Sequence, residues 1–319
     1  MAGETAPKGK PRAVAAPPAV VFQRPTPETL RWLCTKYFAS EDFASLDPRT
    51  QRVRRGIIEH CLKEPIVPGG DTFFAEVPLD RLTTKAMKVL RDRKAGLPEA
   101  ANGRVKAFRQ VFVWALEEEV TDKLSFNPAR DVKYREGRVG GFHHWTVDEV
   151  EKYEAAHPIG TSARLGLALL LYTAQRRSDI VQFGRQHVRN GWLRFTQFKG
   201  RNRNPVTLEI PIIADFQAII EASPTGDLTF LTTEFRKPFT SNGFGNRMRK
   251  WCNEAGLPHC SAHGLRKASA ARLAEVGCTP HEIMSITGHT TMKQIELYTK
   301  GARQKRLAKV AIFKLEAAE

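Results

Sequence analysis

No stretch of this chain approaches twenty consecutive apolar residues, so the sequence offers no candidate membrane-spanning helix. The short apolar core of a secretory signal is missing as well. Carboxylates are scarce, with 34 Asp and Glu against 50 Lys and Arg. No cluster of them stands out of the kind that grips two metal ions, which weighs against two-metal nucleases and transposases. Cysteine is sparse and odd in number: Cys34, Cys61, Cys252, Cys260 and Cys278 form no CxxC pair. That excludes a disulfide framework or a zinc knuckle as a reading of the spacing, and predicts reduced packing residues. No metal and no cofactor is expected.

What the chain has in excess is positive charge, a formal +16 over 319 residues with 41% hydrophobic content. That length favours two domains, each with enough apolar residues for a core. A large cationic excess on a folded chain without a membrane segment points to a nucleic-acid partner. The protein is therefore expected to be cytoplasmic and nucleoid-associated, with no membrane partner.

Residues 1–24, rich in Pro, Ala and Lys, read as a disordered basic arm. Residues 25–135 read as a small all-helical domain. One helix begins at Thr26 with Pro27 in its first turn, a second follows Asp47-Pro48, a third covers Thr84 to Lys94, and a fourth Pro98 to Glu119. Arg104, Lys106 and Arg109 lie on the fourth and are candidates for DNA backbone contact, the competing reading being solvated helix surface. Residues 136–144, carrying Gly137, Gly140 and Gly141, read as a linker, and 145–319 as a second domain.

Thr146 and Glu149 form a capping box that opens the second domain. The segment Thr161 to Thr173 is apolar almost all round and predicts a buried helix, which delivers Arg176 at its end. An unpaired buried charge is costly, so an anion should meet that arginine. Trp192 to Lys199 and Val206 to Ile212 predict a basic hairpin carrying Lys199, Arg201 and Arg203, and Thr229 to Leu231 a short strand. A basic helix with Arg247 runs from Ser241 to Glu254, and further helices cover His263 to Glu275, the stretch after Thr279, the segment holding Tyr298, and Ala302 to Leu315. The fold class is mainly α (α+β): a helical domain followed by a mostly helical one with a small antiparallel sheet. His143, His144 and His157 read as surface or linker residues.

Between Ser261 and Tyr298 the order is His263, Arg266 three residues on, His289, and Tyr298 nine residues after that. These types suit breaking and resealing a DNA phosphodiester without metal or ATP. A tyrosine hydroxyl stores the bond as a phosphotyrosyl ester. Arg176 and Arg266 offer planar forks to the nonbridging oxygens. Lys199 can protonate the leaving 5′ oxygen, with Arg201 and Arg203 as alternatives; His263 can take the tyrosine proton, and His289 adds a hydrogen-bond donor. Arg177 is either a phosphate contact or the partner of an acidic neighbour. Asp179 reads as a carboxylate that orients an arginine.

The set TAQRRSDI at 173–180, Lys199 after a strand, AHGLR at 262–266, TGH at 287–289 and Tyr298 resembles the tyrosine recombinases of the phage integrase family. Residues 145–300 carry the match, and the preceding helices resemble that family's core-DNA-binding, SAM-like domain. The resemblance implies site-specific recombination of a mobile element by a homotetramer on double-stranded DNA. It implies a 3′-phosphotyrosyl intermediate on Tyr298, catalytic roles for Arg176, Lys199, His263, Arg266 and His289, and a C-terminal exchange helix. It leaves room for accessory directionality factors. Departures are Ala174-Gln175 for the family's Gly-Leu, Asp179 for Glu, and Thr287 for Leu. Rival readings are a type IB topoisomerase and a non-catalytic regulator on the same scaffold.

Overall fold

A computed structural model describes residues 25–137 and 141–316, apart from the side chains of Gln294, residues 297–300, Ala302, Arg303 and Lys305. The basic arm and residues 138–140 of the expected linker lie outside the described residues. Contacts divide the chain into two compact units, Met1–Gly137 and Arg138–Glu319.

The first unit is helical. Helix α1 (Leu30–Ala39) begins four residues later than Thr26 because Thr29 is extended and its hydroxyl accepts the Trp32 N–H at 3.4 Å. Pro27 therefore precedes the helix. After the short α2 (Glu41–Ala44), Asp47 caps α3 (Pro48–Leu62) through the Arg49 N–H at 2.9 Å, with Pro48 in the first turn where its missing donor costs nothing. Two 3₁₀ turns lead to α4 (Thr84–Asp92) and α5 (Pro98–Glu117). Val105, Phe108, Val111 and Phe112 of α5 pack on Leu33, Tyr37, Phe43 and Ile58, forming this unit's core. Each such large side chain contributes roughly 1.5–3 kcal/mol on leaving water.

Two expected DNA contacts are corrected here. Arg104 is only 4% exposed. Its guanidinium donates to Glu64 at 2.5 Å and to the Leu90 carbonyl at 2.7 Å, while Arg93 donates to the same carboxylate at 3.0 Å. Facing inward beside a carboxylate, it ties α5 to the end of α3. Arg109 is half-buried and donates to the Arg130 carbonyl at 3.0 Å and the Tyr134 hydroxyl at 2.8 Å, fastening the chain that leaves the unit. Lys106 is exposed, its ammonium 5.3 Å above the Tyr134 ring.

The second unit is built around α7 (Ser162–Thr173), capped by Thr161 and buried on nearly every side. Against it stand α6 (Val147–Ala156), α9 (Ala214–Ala222), α10 (Ser241–Glu254) and α11 (Ala262–Glu275), sharing a core that includes Tyr153, Leu165, Leu169, Phe216, Phe244 and Leu265. Past α7, a single-turn helix α8 (Arg177–Ile180) leads to an antiparallel meander of β1 (Val188–Arg189), β2 (Trp192–Thr196) and β3 (Thr207–Pro211). Leu193 pairs with Ile210 and Thr196 with Thr207, so Leu193 and Phe195 face the core. The capping boxes at Thr146 and at Thr279 both form, the latter opening α12 (Pro280–Thr287).

Three further expectations change. Residues 229–231 form no strand: Phe230 donates to the Phe183 carbonyl at 2.7 Å without a ladder following. His157 is buried, with Nε2 2.9 Å from the Trp251 carbonyl. The segment holding Tyr298 and the tail are one helix, α13 (Met292–Glu316). Of its described side chains only Ile295 is buried, against Ala270, Ala274 and Ile283, while Leu307, Val310, Ile312, Phe313 and Leu315 are exposed.

The Arg104 assignment yields a stability test. Burial opposes ionisation of Glu64, but hydrogen bonds from Arg104 and Arg93 prevail and hold its carboxyl below the usual range. The linked stability is full above the ordinary carboxylate pKa and lost as pH falls through the depressed value. Replacing Arg104→Met should lower the unfolding free energy by about 1–3 kcal/mol in urea titrations at neutral pH, Arg93 remaining on Glu64. Lys106→Ala should stay within about 0.5 kcal/mol.

Candidate catalytic site

The site begins where α7 ends. Ala174, its C-cap, adopts a left-handed conformation with φ of 52°, which turns the chain sharply and aims its carbonyl away from the helix. A glycine would take this conformation without strain. Gln175 follows, buried, and Arg176 stands at the head of α8. A second helix, α12, ends in the same place: Gly288 closes it at φ of 68° and leads into His289.

Arg266 lies between these two helix ends and is 4% exposed. One terminal nitrogen donates to the Ala174 carbonyl at 2.6 Å, the other to the Thr287 carbonyl at 2.8 Å. The C-terminal end of a helix carries roughly half a negative charge, so these two ends help to offset the guanidinium, and the Asp179 carboxylate acts on it as well. The second nitrogen also lies 3.2 Å from His289 Nε2. A guanidinium has no lone pair to offer, so Nε2 accepts and Nδ1 carries the proton toward the Thr287 hydroxyl at 2.8 Å. His289, expected to donate to a phosphate, thus presents its acceptor to Arg266. Burial first, then the charges of Arg266 and Arg176, push its pKa down to about 4.

Two glutamines bind these parts together. Gln175 donates to the Ile286 carbonyl at 2.7 Å and to Thr173 at 2.9 Å. The Gln197 amide donates to Gln175 at 2.7 Å and to the Thr287 carbonyl at 2.9 Å, while its oxygen accepts from Arg176 at 3.3 Å. Gly288 is required beside it, because a Cβ there would sit 2.5 Å from the Gln197 nitrogen. Neither glutamine was picked out from sequence. The signal for Gln197 is the alternation of β2: Leu193 and Phe195 face inward, so position 197 follows, a polar residue on an apolar face.

Asp179 links the hairpin to this assembly. It is 2% exposed and accepts the Arg176 N–H at 3.1 Å and the Phe198 N–H at 2.7 Å. Burial raises its pKa, opposed by the Phe198 N–H and the Arg176 charge. Lys199, one residue beyond Phe198, is exposed at the edge of the site. His263, in the first turn of α11, is exposed, and its pKa is lowered first by desolvation and then by Lys267, Arg266, Arg176 and Arg177. It is therefore in its proton-accepting form at neutral pH. Tyr298 falls within α13, and its side chain lies outside the described residues.

The remaining basic candidates stay on the surface. Arg177 donates to Asn242 at 3.2 Å, a neutral partner where an acidic one was the alternative. Arg201 folds over the Phe198 ring at 3.6 Å, Arg203 is exposed, and Arg247 lies 5.5 Å over Trp251.

The arrangement predicts an acid sensitivity. An unfolded histidine titrates near about 6.5. As pH falls from there toward 4, the unfolded chain binds a proton that folded His289 refuses, so stability declines. Urea midpoints at about pH 7 and about pH 5 should therefore differ more for the wild type than for His289→Gln.

The phage integrase family model matches residues 146–305. A lambda integrase tetramer bound to a Holliday junction is similar over 85% of this chain and 77% of that one, at 20% identity and a TM-score of 0.69. A lambda integrase dimer bound to a COC′ core site covers 83% and 97%, at 20% identity and 0.67. A Tn1549 transposon integrase in complex with a circular intermediate DNA covers 88% and 99%, at 15% identity and 0.69. No curated protein sequence matches. The structural likenesses establish the fold. The family match spans half of the chain and takes in both arginines, His263, His289, Lys199 and Tyr298, and by it the chain belongs to the phage integrase family.

Proposed function

We propose that this protein cleaves and rejoins double-stranded DNA at specific sites through a covalent bond between Tyr298 and the 3′ phosphate, moving a mobile element. The observation that carries this reading is the fixed cationic seat of Arg176 and Arg266. The carboxylate beside it, Asp179, spends both oxygens on backbone N–H groups.

The phenolic oxygen of Tyr298 attacks phosphorus, and the P–O5′ bond breaks as the new ester forms. The phenolic proton passes to His263, and Lys199 gives a proton to O5′. The two guanidiniums meet the charge that grows on the nonbridging oxygens, with His289 holding Arg266 in plane. Attack on the ester by the 5′-hydroxyl of another strand reverses the step, so no ATP is needed.

The other parts serve DNA and assembly. In the 25–135 region a groove of about 630 Å³ between α3 and α5 is lined by the cations Arg49, Arg54 and Lys106, supporting a core-DNA-binding role. Arg177, Arg201, Arg203 and Arg247 are exposed cations for the backbone near the site. The apolar residues left uncovered along α13 from Leu307 to Leu315 suit packing onto a neighbouring subunit in a cyclic tetramer. The tetramer seen for lambda integrase on a Holliday junction supports that assembly.

A nicked suicide substrate carrying the recombination site should trap a covalent complex with the wild type and none with Tyr298→Phe. Arg266→Ala should slow cleavage by about 10²–10³. The absence of any adduct would favour the regulator, and relaxation of a plasmid without a site would favour the topoisomerase. Truncation after Lys300 should abolish recombination while some cleavage survives; full recombination by that variant would overturn the exchange role of α13.

A further inference from the structure

Four potential donors of the second unit converge away from the arginines: His143, Glu149, His259 and Cys260. His143 Nε2 lies 2.8 Å from one oxygen of Glu149, and His259 Nε2 lies 2.6 Å from the other. The two imidazoles meet edge to face with centroids 4.8 Å apart. Cys260 is buried at the inner side of the group, and one donor atom from each of the four residues lies within 4.8 Å of all the others.

We propose that these four residues form a Zn²⁺ site. Two imidazole nitrogens, one carboxylate oxygen and one sulfur make the mixed, borderline-soft set that tetrahedral zinc takes, at about 2.0–2.3 Å from each donor. Donors on such a shell stand roughly 3.2–3.8 Å apart. The carboxylate contacts must therefore open by less than about 1 Å and the widest separation close by a similar amount. The imidazoles have room for this, being 39% and 51% exposed. Calcium or magnesium would not select nitrogen and sulfur. Hydrogen bonds to Glu149 from the two imidazoles and from the Cys260 thiol are the competing arrangement; zinc would instead take the sulfur as thiolate, which the cobalt spectrum reads directly. Sequence spacing hides the site, because the two halves lie 110 positions apart between Glu149 and His259.

The ligands sit on three pieces of chain that surround the start of α11. His143 belongs to the segment entering the unit, Glu149 to the first turn of α6, and His259-Cys260 to the turn running into Ser261, the cap of α11. Those pieces already touch. Trp145 donates to the Ser261 carbonyl at 2.9 Å, and Lys267 donates to the Phe142 carbonyl at 3.1 Å. Gly264 admits the His143 carbonyl where a Cβ would lie 2.1 Å from it. Phe142, next to the proposed ligand, rests on His263 with ring centroids 4.7 Å apart. A bound metal would clasp the entering segment onto the helix that bears His263 and Arg266. It would be structural, with no part in phosphoryl transfer, and it does not depend on the proposed function.

The test is titration of the full-length protein with Zn²⁺ against a chromophoric chelator, with Co²⁺ as a spectroscopic probe. One Zn²⁺ per chain is expected, with tetrahedral cobalt bands and a near-ultraviolet thiolate-to-cobalt band. Cys260→Ser should remove the thiolate band. The double variant His143→Ala, His259→Ala, altered at exposed positions that leave the core intact, should lose stoichiometric binding, a weakening of at least about 100-fold. Failure of the wild type to bind one equivalent, unchanged binding by the double variant, or an unchanged cobalt spectrum in Cys260→Ser would each overturn the assignment.

Discussion

A permanent charge in a protein interior must be solvated by the protein, and Arg266 is that charge here. The chain directs the carbonyl ends of α7 and α12 at it, and places the Asp179 carboxylate within reach of its charge. Both ends are also satisfied by side-chain amides, Gln175 on Thr173 of α7 and Gln197 on Thr287 of α12. Orphan carbonyls at helix termini need partners in any case. In this unit the partners are the groups that build the site.

From that junction the other parts take their positions. Gln197 joins Arg176 to the end of α12, and Asp179 joins the backbone of Arg176 to the hairpin just before Lys199. Elements far apart in sequence are thus locked to one another by a handful of hydrogen bonds, several to the Arg176 guanidinium or the Asp179 carboxylate, in a region of low dielectric where each is stronger than at the surface. The guanidiniums arrive oriented, which is the condition for electrostatic stabilisation to cost little reorganisation during reaction.

Much of this was legible in sequence. Asp47, Thr146 and Thr279 marked helix starts within a residue, because the hydroxyl or carboxylate and the helical dihedrals make a local signal. Of the ordered residues from Arg176 to Tyr298, the structure brings Arg176, Arg266 and His289 to one place. Tertiary relations were less legible. Arg104 looks like its solvent-facing neighbours until Glu64 is seen beside it, forty positions earlier. The start of α1 was misplaced because a proline suggested a first turn that Thr29 supplies instead. Gln175 and Gln197 were passed over because a buried amide has no pattern of its own; only the inward phase of β2 marks the latter.

Compensation by backbone has a consequence for how such a site tolerates drift. A carbonyl oxygen is present whatever the side chain, so the carbonyl partners of Arg266 cannot be mutated away while the two helices still end where they do. With Ala174 in place of glycine and Thr287 in place of leucine, both backbone carbonyls still accept from Arg266. The invariant is then a geometric one, the meeting of two helix ends, and the letters written there are free to change around it.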